Sequence, residues 1–167
     1  YQPLDTSIDS IRLLYLQATN PAAQAVINCR LVHTNFKSKP IYEALSYTWG
    51  SENPAEFIFI DGAEFKVRRN LYWALYYLRQ SRRRVLWIDA ICIDQGSFEE
   101  RQYQVGLMGH IYHLSQNVIV WLGNPGNLDE FPFRIIKRKE IHNYFTWLYD
   151  HQYWKRLWII QEVGLSR

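Results

Sequence analysis

The run Val85-Leu86-Trp87-Ile88, followed directly by Asp89-Ala90-Ile91-Cys92-Ile93-Asp94-Gln95, decides the fold class. Its first four residues are continuously apolar rather than alternating, the pattern of a central parallel strand covered on both faces. Asp89 then stands at the carboxyl end of that strand, and two carboxylates emerge from an apolar stretch beside the sheet. Downstream, Ser97-Phe98-Glu99-Glu100 has capping-box spacing and introduces Leu107, Met108, Ile111, Tyr112 and Leu114 at helical spacing. Residues 118–122 form another apolar strand, closed by the turn cluster Gly123-Asn124-Pro125-Gly126. Upstream, Asn70 is expected to N-cap a helix whose Leu71, Ala74, Leu75 and Leu78 make one apolar stripe. That helix is expected to close with Arg79, Arg82, Arg83 and Arg84, where cations meet the negative end of the helix dipole. Helix, strand, helix, strand is the alternation of an α/β domain.

Toward the N-terminus the signals change. Residues 11–16 and 25–33 are rich in β-formers and flank a polar turn containing Asn20-Pro21, which predicts an antiparallel hairpin. Residues 42–49 make a further strand ending at Gly50, and residues 57–60 and 65–67 flank Asp61-Gly62, a strong hairpin turn. Toward the C-terminus, residues 128–140 are irregular and end in a basic patch of Arg134, Lys137, Arg138 and Lys139. Ile141, Tyr144, Phe145, Leu148 and Tyr149 then repeat as an amphipathic helix, and a last helix is expected from about residue 153 to 163. The expected fold is an α/β sheet with parallel core strands, flanking helices and extra N-terminal antiparallel hairpins, in one domain spanning residues 1–167.

Composition narrows the function classes. Hydrophobic residues make up 48% and charged residues 21%, and no apolar run approaches the roughly 18 residues a membrane helix requires. Residues 1–10 lack the basic start and apolar stretch of a signal peptide. Cys29 and Cys92 lie far apart among apolar neighbours, as expected of buried free thiols in a reducing, cytoplasmic compartment. A net charge of +3 permits anionic ligands but is not polycationic, so nucleic-acid binding through Arg82–Arg84 or the Lys137–Lys139 region is disfavoured. Aromatic residues reach 16%, more ring area than a soluble chain leaves in water, so most belong to a core or an interface. His110 and His113 fall at i and i+3, but no third ligand is evident nearby and no metal is expected. Phosphate-loop, dinucleotide-fingerprint and serine-elbow motifs do not occur.

Ligands of open α/β sheets bind outside the carboxyl ends of parallel strands. Three such ends can be named: Ser46-Tyr47-Thr48-Trp49-Gly50, Asp89 through Asp94-Gln95-Gly96, and Trp121-Leu122-Gly123. For Asp89 and Asp94 two readings stay open, a ligand role or the capping of turns and backbone amides. In the last predicted helix, Trp154, Trp158 and Glu162 recur every fourth residue, so Glu162 shares a face with two indoles. A carboxylate against rings loses hydration and becomes a candidate acid, base or partner of a developing cation. The alternative is a surface glutamate paired with a basic residue such as Arg156.

Three segments carry a resemblance: Tyr42-Glu43-Ala44-Leu45-Ser46-Tyr47-Thr48-Trp49-Gly50, residues 86–95, and Arg156-Leu157-Trp158-Ile159-Ile160-Gln161-Glu162. They resemble the three signatures of the fungal heterokaryon incompatibility (HET) domain, with Asn70-Leu71, Glu100-Arg101 and Gln104-Val105 in register between them. That resemblance implies a module of fungal programmed cell death, attached to other domains of a larger receptor-like protein. The order of elements is also similar, more distantly, to the TIR signalling fold. This second likeness implies a flavodoxin-like sheet that either continues past residue 167 or has its last strands replaced by the N-terminal hairpins, and is mixed in either case, together with self-association and NAD+ as a substrate rather than a bound cofactor. It places Glu162 as the catalytic carboxylate. Ser46, Tyr47, Trp49, Gly50, Asp89, Asp94, Gln95, Arg101, Trp121 and Trp158 become the substrate-binding candidates. The alternative it leaves open is a non-catalytic adaptor that signals by self-association.

Overall fold

The computed structural model describes residues 1–18, 26–53, 55–79 and 82–123. Strand β1 (Ser10–Leu16) pairs antiparallel with β2 (Asn28–Asn35) along its whole length, from Ser10 opposite Asn35 to Leu16 opposite Cys29, which is the expected N-terminal hairpin. Strand β3 (Glu43–Tyr47) follows, then the hairpin of β4 (Ala55–Ile60) and β5 (Ala63–Arg68). Its two-residue turn is Asp61-Gly62, with φ of 52° and 82°. Both central residues are left-handed, as the twist of a tight hairpin requires. Helix α1 (Arg69–Leu78), strand β6 (Arg84–Trp87), the single turn α2 (Asp89–Cys92), helix α3 (Phe98–Leu114) and strand β7 (Asn117–Trp121) complete the described elements.

These strands form one mixed sheet in the order β5-β4-β2-β1-β6-β3-β7. Strand β6 has a parallel neighbour on one side only: β3 runs parallel to it and β1 antiparallel. An apolar run shows that both faces are covered but carries nothing about neighbour direction, and the N-terminal hairpin takes the second edge of β6. Burial agrees with the pattern, since Leu86, Trp87 and Ile88 are fully buried with Leu14, Leu45 and Ile111. Beyond β3 lies β7, also parallel. The chain thus leaves β3 for β6 on one side and returns past β3 to β7 on the other, so the direction of winding reverses between β3 and β7.

Two local expectations need correction. Asn70 does not cap α1; the N-cap position is Arg68, without a side-chain cap, and Asn70 lies inside the first turn with its amide directed to the strand ends. The arginines do not close α1 as a group either. The helix ends at Leu78, Arg79 donates to the Val26 carbonyl, and Arg83 lies over the Tyr15 ring. Arg84 already belongs to β6 and makes a bidentate pair with Glu43 of β3, both bonds 2.8 Å. A cation is better satisfied by a carboxylate fork across the sheet than by the partial charge of a helix end.

Half of the predicted capping box forms. Ser97 accepts the Glu100 amide at 3.2 Å, but the Glu100 carboxylate turns to a stronger partner. That partner is Arg12 on β1, whose side chain is fully buried. Nη1 and Nη2 of Arg12 reach the two Glu100 oxygens at 2.5 and 3.0 Å. Nη1 also donates to the Cys92 carbonyl, Nη2 to the Gln2 carbonyl, and Nε to His33 Nε2. All five donors of the guanidinium are thereby used, the condition for burying a charge. Glu100 Oε1 also accepts the Asp94 amide at 2.6 Å, so this buried pair fixes the loop that follows β6.

Cys29 and Cys92 are free and buried. His110 packs edge-on against Phe36, and no group of three or more metal-capable side chains occurs among the described residues. No helix among the described residues is long and apolar enough to cross a membrane. The two C-terminal helices expected from sequence lie outside the described residues.

Candidate functional site

The carboxyl ends of β3, β6 and β7 converge on a small set of side chains tied together by hydrogen bonds. Trp49, just past β3, donates its indole Nε1–H to Asp89 Oδ2 at 2.8 Å, joining the ends of β3 and β6. The other Asp89 oxygen accepts the Ala90 amide at 2.7 Å, and the Asp89 carbonyl accepts Gln95 Nε2 at 2.9 Å. On the other side, Trp121 at the end of β7 donates Nε1–H to Asn70 Oδ1 at 2.9 Å. Asn70 Nδ2 in turn donates to the Thr48 carbonyl at 2.5 Å, joining β7 to β3. Each indole is thus pinned by its only polar atom, and the direction of its ring faces is fixed.

Two glycines turn the chain beside this clamp. Gly50 and Gly123 both have positive φ, 71° and 116°, a backbone conformation that other residues adopt only under strain. Arg68, at the junction of β5 and α1, donates Nη1 to the Gly50 carbonyl at 2.8 Å and Nη2 to Glu52 Oε1 at 2.7 Å. Its guanidinium carbon lies 5.0 Å from the centroid of the Trp49 ring. Next to Trp121, Tyr77 of α1 lies at 5.6 Å with its ring tilted by 31°, and Trp73 and Tyr76 extend this aromatic group along the helix.

Of the residues expected at the site, Trp49, Gly50, Asp89, Gln95 and Trp121 are brought to these strand ends. Ser46 and Tyr47 are buried in the sheet instead. Asp94 closes its own loop, Oδ1 accepting the Gly96 amide at 2.9 Å, which realises the turn-capping reading left open for it. Arg101 is exposed on α3 with its guanidinium over Phe98. Glu162 and Trp158 lie outside the described residues. Asn70 and Arg68 were not anticipated as members of the cluster. Asn70 carried the signal of a helix N-cap, which is true of its neighbourhood, but sequence spacing holds nothing about the indole it meets across the sheet.

Chemically the cluster offers two oriented indoles, one carboxylate and one mobile-stemmed cation at the point where the winding of the sheet reverses. In open α/β sheets ligands bind there, outside the carboxyl ends, because loops and helix starts converge. Flat, electron-rich ring faces favour planar and cationic groups.

No solved structure matches the chain significantly. A curated protein that is similar, Heterokaryon incompatibility protein 6, OR allele, of Neurospora crassa, is 37% identical over 109 residues. The match takes in 57% of this chain and only 16% of that relative, so the chain corresponds to a small part of a much longer protein. The family profile described as Heterokaryon incompatibility protein (HET) matches residues 42–147, more than half of the chain, and includes every side chain of the strand-end cluster. The chain therefore belongs to the heterokaryon incompatibility (HET) family.

Proposed function

We propose that this domain is a cytoplasmic effector of heterokaryon incompatibility and programmed cell death that, once assembled, cleaves NAD+ at the nicotinamide–ribose bond. The observation that carries the reading is the reversal of winding at β3, with two pinned indoles and Asp89 at the carboxyl ends beside it. The parallel strands run second, first, third across this part of the sheet, the order of flavodoxin-like and TIR-like folds, whose ligands lie at that reversal. The pyridinium of NAD+ is a planar cation suited to an indole face.

In the reaction the bond between ribose C1′ and the pyridinium nitrogen breaks, and nicotinamide leaves neutral with the bonding pair. C1′ passes through an oxocarbenium-like state, takes the oxygen of a water molecule, and a proton is released. A carboxylate beside C1′ lowers the barrier as in glycoside hydrolysis. Glu162 is assigned that role from the more distant TIR likeness of the sequence, and Trp158 is assigned to the substrate on the same ground.

One observation favours a second reading, a non-catalytic adaptor acting through homotypic assembly. Tyr76 and Tyr77 are exposed beside Trp73 on α1, an aromatic surface of the kind enriched at interfaces. The two are separated in cells that die when the full-length protein is triggered. Glu162→Ala in a folded, normally expressed protein abolishes death under the enzyme reading. Death unaltered by Glu162→Ala but abolished by Tyr76→Ser with Tyr77→Ser supports the adaptor.

A further inference from the structure

The Trp49 indole already carries a cation. The Arg68 guanidinium stands over the ring at 5.0 Å, within the range of a cation–π contact. The ring cannot turn away, because Nε1–H is bound to Asp89 Oδ2. Donation to a carboxylate also pushes electron density into the ring, which strengthens its hold on any cation above it. Arg68, by contrast, is loosely kept. Its two bonds go to the Gly50 carbonyl and to Glu52, whose side chain is 78% exposed. A pair with so exposed a partner is screened by water and readily exchanged. The Arg68 stem is unbranched and flexible, so its head can leave the ring without disturbing the backbone of β5.

We infer that Arg68 is the internal occupant of a cation seat on Trp49 and is displaced by a planar cationic heteroaromatic ring. This deepens the NAD+ reading of the strand-end site and rests on it. The occupant of the seat is then the oxidised nicotinamide. Reduced nicotinamide, neutral and puckered, does not displace Arg68, so the seat selects the oxidised cofactor. Once cleavage neutralises the ring, Arg68 returns and helps expel nicotinamide.

The test uses the ring-methylated nicotinamide cation and neutral nicotinamide as paired probes, titrated while following the Trp49 Nε1–H resonance by NMR, with Trp49→Phe to assign that signal. In Arg68→Met, which keeps the stem and removes the charge, the cation gains affinity about two- to fivefold more than the neutral probe, the strength of an exposed cation–π contact. Arg68→Ala gives the same ordering and guards against an effect peculiar to methionine. An equal change for both probes, a weakened cation, or a Trp49 signal that neither probe moves overturns the seat. Its failure is distinguishable from failure of the enzyme reading. A cation that gains on Arg68→Met in protein that never releases nicotinamide leaves the seat standing and sinks cleavage.

Discussion

Removing the Glu100 carboxylate strands a buried charge, and the size of the effect follows from the contacts of Arg12. The guanidinium has no exposed surface and reaches solvent only past the partly exposed Glu100, so Glu100→Ala leaves it a poorly hydrated charge without its partner. Two charge-assisted bonds, at 2.5 and 3.0 Å, are lost, and the Asp94 amide loses its acceptor as well. Breaking a buried pair from one side costs about 3–5 kcal/mol. For a domain of this size that lowers the melting temperature by roughly 6–20 °C. Urea unfolding followed by circular dichroism reads the loss directly, with the slope unchanged if the denatured state is unaffected. The same pair sets the acid limb of stability. Burial raises the Glu100 pKa, but the bonds from Arg12 and the Asp94 amide outweigh it, and the net shift is downward. The folded protein therefore binds fewer protons than the unfolded chain in the window between the two pKa values. The contribution is whole above the unfolded value of about 4.3 and is lost as pH falls through the lower folded value. Glu100→Ala flattens that limb. A loss below about 1 kcal/mol, or an unchanged acid limb, would refute the reasoning.

Other consequences follow from the same geometry. Asn70→Ala removes the bonds to the Thr48 carbonyl and to the Trp121 indole, costs about 1–3 kcal/mol, and frees the Trp121 ring, visible as a shift of its Nε1–H resonance. Burial first, with the Asp61 charge behind it, pushes the Cys29 thiol up to about 12, and burial likewise pushes Cys92 up to about 12. Neither thiol forms appreciable thiolate at pH 8, so a thiol reagent labels both only at the rate of unfolding; rapid labelling of the native protein contradicts their placement. His33 has its pKa lowered by burial and by Arg12, against an opposing pull from Glu100. Its neutral Nε2 accepts from Arg12, so the folded state resists protonation and stability falls as pH drops below about 6.5. His33→Gln removes that slope near neutrality while leaving the Glu100 limb in place.

Much of the architecture was legible because local chemistry decided it. Asp61-Gly62 dictated its hairpin, Ser97 its helix start, and the apolar run before Asp89 its buried strand. What escaped were choices between partners distant in sequence. Arg12 and Glu100 each look like a surface charge in its own window, and only the sheet, by placing β1 beside the loop after β6, joins them. Asn70 was legible as a polar residue at a helix start but not as the bridge between two strand ends. The strand-end site was found by rule, since the carboxyl ends of parallel strands are where loops converge. Trp49 with Asp89, and Trp121, were named on that ground, whereas Ser46 and Tyr47, three and two residues before Trp49, still lie within β3, which is buried on both faces. Side chains inside a strand covered on both faces are buried whichever way they point, and sequence alone does not fix where the strand ends and the open loop begins.

The proposal stands or falls on cleavage of NAD+ with Glu162 as the catalytic carboxylate, and nicotinamide release by purified protein tests it most directly. Wild type and Glu162→Ala are compared at rising protein concentration and under crowding that promotes assembly. The account predicts release that increases with concentration in the wild type and is absent from the variant. No release from wild-type protein demonstrably assembled, or equal release by both, contradicts it.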